Sequence, residues 1–228
     1  MNELAQKLIE ELQCETVFTI PVLGGIPVSE AVVVTWIIMA VLVIVAFILT
    51  RNLKVDHISK RQAVAESIVT GLMNMVQGMV GEKGRKYVPY LTTVMLYIGV
   101  SNIIGLFGFK SPTKDLRVTV ALALMSIILI EAAGIYHKGV KRWLHGFVEP
   151  VAIVTPINIL EVVTKPLSLC MRLFGNVLGA FVIMELLKMI LPVGLPVVFS
   201  LYFDIFDGLL QAYVFVFLTS LYIDEITE

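Results

Sequence analysis

Long uncharged stretches bound the architecture of this chain more tightly than any other feature. Residues 31–50 carry no charge between Glu30 and Arg51, and at ~1.5 Å per residue a helix of that length crosses a hydrocarbon core of ~30 Å. Comparable apolar runs recur at 90–109, 116–136, 157–191 and 197–223. Inside hydrocarbon every backbone N–H and C=O must be satisfied within the segment, so runs of this kind become helices. With 58% hydrophobic and 15% charged residues over 228 positions and a mean hydropathy of +0.91, an ordinary soluble domain is excluded. The expected fold class is an all-α integral membrane protein with five transmembrane helices, forming one membrane domain over 1–228.

Basic residues set the expected orientation. Arg51, Lys54, His57, Lys60 and Arg61 follow the first run, and Lys83, Arg85 and Lys86 precede the second. The positive-inside rule places this loop in the cytoplasm and the arm 1–30 outside. His137, Lys138, Lys141 and Arg142 form a second basic loop with the same sense, which leaves the C-terminus cytoplasmic. Between the first two basic groups, Val64, Ile68, Leu72, Met75, Val76 and Met79 recur at helical spacing opposite Glu66, Asn74 and Gln77. That pattern predicts an amphipathic helix over 62–80 on the inner membrane surface. In the arm, Leu4, Leu8, Ile9 and Leu12 have helical spacing, Thr16–Ile20 reads as extended and 21–27 as turn. No basic n-region precedes an early apolar run, so the first helix is expected to be retained rather than cleaved.

Other classes of chemistry find no foothold in the sequence. Cys14 and Cys170 have no CxxC or His cluster near them, so neither a disulfide nor a metal site is expected. No HExxH or GxSxG occurs, which argues against an intramembrane hydrolase. No cofactor is expected, and a net charge of -1 indicates no nucleic-acid partner. In the link after the second span, Ser111-Pro112 starts a turn and Thr113 is expected to cap the next helix, with Asp115 at its positive end. Asn102, inside the second span, reads as interhelical glue or as a pathway candidate.

The last two runs are over-long and carry the charge that matters. About 35 helical residues over 157–191 would stretch ~52 Å, so this helix must tilt or kink, with Pro166 the local cause of a kink. A turn at 192–196 sends the chain back through 197–223, and the two long helices form a hairpin. Arg172 lies in the middle of the first of them. Mid-bilayer exposure of arginine to lipid costs at least ~2.5–3.5 kcal/mol, so this charge should face protein or water. At ~100° per residue, Glu161, Lys165, Ser168, Arg172, Asn176 and Gly179 fall in one narrow sector. On the returning helix Asp204, Asp207 and Gln211 share a face, and the antiparallel hairpin brings Gln211 to the depth of Arg172. The polar groups divide into an outer set with Glu185, Asp204 and Asp207, a central cation, and an inner set around Glu161. Glu185 with Lys188 could equally be a local ion pair, and Glu131, near the inner end of the third span, is either a further pathway group or a paired carboxylate.

Carboxylates in wet clefts attract cations, whereas a guanidinium with a pKa above ~12 stays charged and repels them. This pattern suits an ion path with an interruption at Arg172. The run K-P-L-S-L-x-x-R-L-F-G-N around it, with N-x-x-G-L…S-P-T-x-D-L…T-x-A-L-A upstream, resembles the signature of subunit a of F-type ATP synthases. The resemblance implies a stator subunit of a bacterial plasma membrane with two offset ion half-channels, a ring of c subunits facing Arg172 as the barrier, and b subunits as further partners. By the resemblance Asn176, Gln211, Asp204, Asp207, Glu161, Glu185, Lys165 and Ser168 line the ion pathway, with Glu131 and Asn102 as further candidates. ATP chemistry would reside on other subunits. The chain departs from the family pattern at Phe181, nine positions after the arginine, where many members carry an acid or histidine; Asp204 is expected to compensate. The competing reading is a secondary transporter that binds an anionic substrate at Arg172. The choice between proton and sodium, the size of the ring and the direction of work in the cell are not encoded in the pattern.

Overall fold

A computed structural model of the chain describes residues 16–20, 26–51, 53, 59–107, 109, 111–146, 155–190 and 199–227. The readings made above for 1–15, 21–25, Lys54, His57, 147–154 and 192–196 lie outside the described residues. Five helices are long and apolar enough to cross a membrane: Glu30–Thr50, Gly84–Leu106, Leu116–Lys138, Thr155–Met184 and Leu201–Thr227. The architecture is the expected one, with the last two helices long.

A short hairpin precedes them. Strands β1 (Thr16–Ile20) and β2 (Ile26–Ser29) pair antiparallel. The extended reading of Thr16–Ile20 therefore holds, but 26–27, read as turn, belong to a strand. Pro27 is tolerated because this two-stranded ribbon leaves its N–H side free of a required bond. Ser29 closes β2 and opens helix α1 (Glu30–Thr50). Its hydroxyl donates to Asp115 Oδ2 at 2.8 Å. Helix α2 (Lys60–Met79) starts on Ser59, whose Oγ accepts from Gln62 N. Along it Val76 is buried, whereas Val64, Ile68 and Met75 form an exposed apolar stripe.

Helix α3 (Val88–Ile103) stops short of the expected 109 and tightens into a 3₁₀ turn over Ile104–Phe107. Helix α4 (Leu116–Lys138) follows a second 3₁₀ turn at Pro112–Lys114. Its cap is Asp115, not Thr113 as the sequence led us to expect. Asp115 has the extended backbone a cap requires (φ -87, ψ 119) and accepts from Arg117 N at 2.9 Å, while Thr113 lies in the preceding 3₁₀ turn. One buried carboxylate thus anchors the starts of both α1 and α4. At its other end α4 terminates on Gly139, whose φ of 76° only glycine adopts without strain. The basic segment read as a loop then forms a short helix α5 (Val140–Gly146).

Helix α6 (Thr155–Ile190) is continuous through Pro166. Its 36 residues correspond to ~54 Å, longer than a hydrocarbon core is thick. A π-helical segment, Leu201–Asp207, leads into helix α7 (Gly208–Thr227). The core lies where α3 packs on α7 and α4 packs on both α6 and α7. Ile98, Ile130, Leu173, Phe215 and Ile223 are fully buried there. Helix α1 buries Ala31, Val34 and Ile38 and leaves Val43 and Phe47 bare, as a lipid-facing helix would.

Removing the shared cap should be felt at both helix starts. Asp115→Ala is expected to cost about 1–2 kcal/mol and lower the thermal midpoint of the detergent-solubilised protein by about 3–6 °C. An unchanged midpoint would contradict the assignment of Asp115 as the cap.

Candidate functional site

The rotation of α6 about its own axis decides what Arg172 can meet. Leu169, Cys170 and Leu173 are at most 4% exposed and plug into the core, and Thr119 Oγ1 of α4 lies 3.5 Å from Cys170 Sγ. With that face turned in, Glu161, Ser168, Arg172 and Asn176 are exposed and Lys165 and Gly179 half-buried. The polar sector drawn from the sequence is therefore the outward sector of the helix. Among the described residues, none forms a hydrogen bond or ion pair with Arg172. Beside it runs an exposed apolar stripe, Leu160, Val163, Leu167 and Met171, each more than half exposed.

One turn from the arginine, Asn176 Nδ2 donates to Gln211 Oε1 at 2.7 Å and joins α6 to α7. Gln211 is 2% exposed, and its Nε2 is buried without a partner. An unpaired amide N–H at such a position costs on the order of 1–3 kcal/mol. Gln211 thus reaches the depth expected of it, beside the helix turn that carries Arg172.

Toward the ends of α6 and α7 whose chain termini lie past Glu161 and Glu225, a cleft of about 300 Å³ opens, lined by Glu131, Arg142, Trp143, Glu161, Lys165 and Glu225 among others. Lys165 Nζ lies 3.1 Å from both oxygens of Glu225 and 3.7 Å from Glu161 Oε2, and 5.2 Å from the Tyr222 ring centroid. Glu131 is a paired carboxylate: Trp143 of α5 donates to its Oε2 at 2.9 Å. Sequence reasoning overlooked Glu225 and Trp143. Glu225 was within reach, because pairing Asn176 with Gln211 in antiparallel helices sets Lys165 beside residue 222, one turn from Glu225. Trp143 gave no signal, since its approach depends on the reversal at Gly139.

At the opposite end, Asp204 and Asp207 are half-buried and lie in the π-helical segment. The reading of one face shared with Gln211 assumed an unbroken α-helix, and a π turn holds an extra residue; Asp204 Oδ1 lies 3.3 Å from where a Cβ on Gly105 would sit. Phe181 is covered by the Lys114 ammonium, 4.1 Å from its ring centroid, an ordinary cation–π distance. The side chains of Glu185 and Lys188 lie outside the described residues. Asn102 is 5% exposed and bonds to the backbone of Gly208, a position that matches its reading as interhelical glue.

Among the described residues, five membrane-length helices and an outward arginine without a partner, with polar groups above and below it, define a multi-pass membrane protein with a polar seam along its last two helices. The profile of the ATP synthase A chain family matches residues 32–224. The chain is 36% identical to ATP synthase subunit a of Moorella thermoacetica over 203 residues, 88% of this chain and 92% of that one. It is 35% identical to the sodium-ion-specific subunit a of Propionigenium modestum over 215 residues, covering 87% and 74%, and 34% identical to subunit a 1 of Chlorobaculum parvum, covering 90% and 91%. The chain belongs to the subunit a family of F-type ATP synthases, the stationary ion-translocating subunits of the membrane sector, and is a multi-pass protein of that bacterial complex.

The Lys165–Glu225 pair is partly solvated, with side-chain exposures of 19% and 52%, and pairs of this kind contribute ~0–1 kcal/mol. Glu225→Gln should therefore leave the thermal midpoint within about 3 °C of the parent. A drop of twice that would mean the pair holds α6 to α7.

Proposed function

We propose that Arg172 is the barrier between two wet half-passages and the side chain that faces the rotating ring of c subunits. The single observation that carries this is its outward position, without a partner among the described residues, on a helix whose opposite face is locked into the core. Left against lipid, that guanidinium would cost at least ~2.5–3.5 kcal/mol; a ring carboxylate opposite it would remove the cost through a bidentate, charge-assisted pair. The exposed stripe beginning at Leu160 gives the same face the apolar surface that a ring of apolar helices would slide along. A transporter binding an anion at Arg172 would need the guanidinium turned into a pocket between helices, and it is turned away from them.

The remaining pathway residues take their roles from this arrangement. Asp204 and Asp207, with Glu185, form the outer passage. Asn176 and Gln211 flank the barrier. Glu161, Lys165 and Ser168 lead from Arg172 into the inner cleft, where Glu131 and Glu225 stand. By the positive-inside rule the basic loops support an inner cleft on the cytoplasmic side of a bacterial plasma membrane and an N-terminus outside. Ions enter at the outer carboxylates, neutralise a ring carboxylate, travel with the ring past lipid, and leave inward when that carboxylate meets Arg172. Each elementary charge that crosses yields ~2.3 kcal/mol per 100 mV. Arginine suits the post because a lysine can deprotonate when buried. The b subunits complete the stator.

Two substitutions in the assembled complex test these assignments. Arg172→Ala should abolish ATP-driven ion pumping in membrane vesicles while ATP hydrolysis by the soluble sector persists; full pumping would remove Arg172 from the barrier. Asp204→Asn should slow ion uptake by about tenfold, ~1.4 kcal/mol in barrier height, and an unchanged rate would return Asp204 to a solvated end group.

A further inference from the structure

The acidic segment that leads into α7 has an unusual conformation, and a side chain of another helix bonds to the residue at its end. Gly208 stands at the seam where the π segment gives way to α-helix. Its N–H reaches back to the carbonyls of Phe203 and Ile205. A π turn is rare and is found as a local insertion in helices, frequently where function is concentrated. Side chains in a π segment have a different phase from those in an α-helix, so a contact that holds the segment bears on where Asp204 and Asp207 point.

Asn102 supplies that contact. Its Nδ2 donates to the Gly208 carbonyl at 2.9 Å. Because a carbonyl only accepts, this bond settles which end of the amide faces α7 and leaves Oδ1 pointing the other way. There Thr113 Oγ1 donates to it at 2.8 Å. Ser111 Oγ, 2.7 Å from Thr113 Oγ1, also bonds to the Ser101 carbonyl at 2.7 Å. All these side chains are at most 6% exposed. The approach is close enough that a Cβ on Gly208 would lie 2.8 Å from Asn102 Cβ, so only glycine fits at the seam. Gly105, one turn after Asn102 on the same strand of chain, is the surface against which Asp204 rests. The two contacts together set the rotation of the π segment relative to α3.

We propose that Asn102 is a positioning residue for ion uptake: through Gly208 it fixes the phase of the π segment and thereby the aim of Asp204 and Asp207 into the outer passage. The S-P-T turn serves to hold the Asn102 amide in the orientation that makes this bond. The inference rests on the reading of those two carboxylates as the outer passage. Glue between helices would matter for assembly alone. A positioning residue changes how readily an ion is captured while the turnover of a captured ion is preserved.

The experiment measures ATP synthesis in vesicles containing the assembled complex, at fixed electrical potential, as a function of ion concentration on the uptake side. Protons are varied at constant sodium, and sodium at constant pH. Asn102→Leu, close in size and unable to donate, should raise the half-saturating ion concentration about three- to tenfold with the maximal rate retained, and the dependence on ion concentration at the release side should not move. Thr113→Val should give a smaller shift of the same sign, and it decides the matter if Asn102→Leu does not assemble. A lowered maximal rate without a shift, or no change in either variant, overturns the proposal. Asp204→Asn separates the two claims. If it shifts the uptake curve and the Asn102 and Thr113 variants do not, the positioning role fails alone; if it has no effect, the reading of the outer passage fails and this inference with it.

Discussion

The structure depends on the direction in which one guanidinium is held, for among the described residues none pairs with it. A buried arginine in a helical bundle would ordinarily be paired, because charge in a low-dielectric interior is expensive and a neighbouring carboxylate relieves it. Here the apolar face made by Leu169, Cys170 and Leu173 fixes the rotation of α6, and with it the outward direction of Arg172. Glu161, the acid of the same polar sector, lies near Lys165, and Lys165 bonds to Glu225. The inner charges are thus satisfied among themselves, and among the described residues none is left to pair with Arg172.

Polar contacts between helices divide the seam into three levels. The outermost is the Asn102 cluster at the π junction, the middle is the Asn176–Gln211 bond, and the innermost is the Lys165–Glu225 pair. The first joins α3 to α7 and the other two join α6 to α7, so α7 is the post against which all three are set. The levels also differ in character. The outer two are neutral hydrogen bonds, with Asn102 and Gln211 buried and Asn176 exposed, and they specify geometry; the inner one is a partly solvated ion pair, which contributes little to stability and leaves a cleft that water can fill.

Much of this was legible in the sequence, for reasons that differ by level. The spans followed from hydropathy, because a segment in hydrocarbon has no alternative to helix. The outward sector of α6 followed from periodicity, since polar residues three and four apart in an apolar run must share a face. The antiparallel depth match of Arg172 and Gln211 followed from counting residues across the hairpin. What escaped was decided by contacts between segments far apart in the chain. The cap at Asp115 depends on backbone angles set by the 3₁₀ turn before it. The π segment ends at Gly208, whose carbonyl accepts from Asn102, more than a hundred residues upstream. Trp143 reaches Glu131 because Gly139 permits a reversal. Glu225 was legible from the same count that placed Gln211, had the count been carried to the end of the helix.

The most direct measurement of the central claim is disulfide cross-linking between α6 and the ring in the assembled complex, with Cys14 and Cys170 replaced by serine. Cysteine placed at Ser168, on the Arg172 sector, should link to a cysteine scanned along the outer ring helix. Cysteine placed at Leu169, on the core face, should give no such link. Cross-links from position 169 with none from 168 would contradict the account, because α6 would then turn Arg172 away from the rotor.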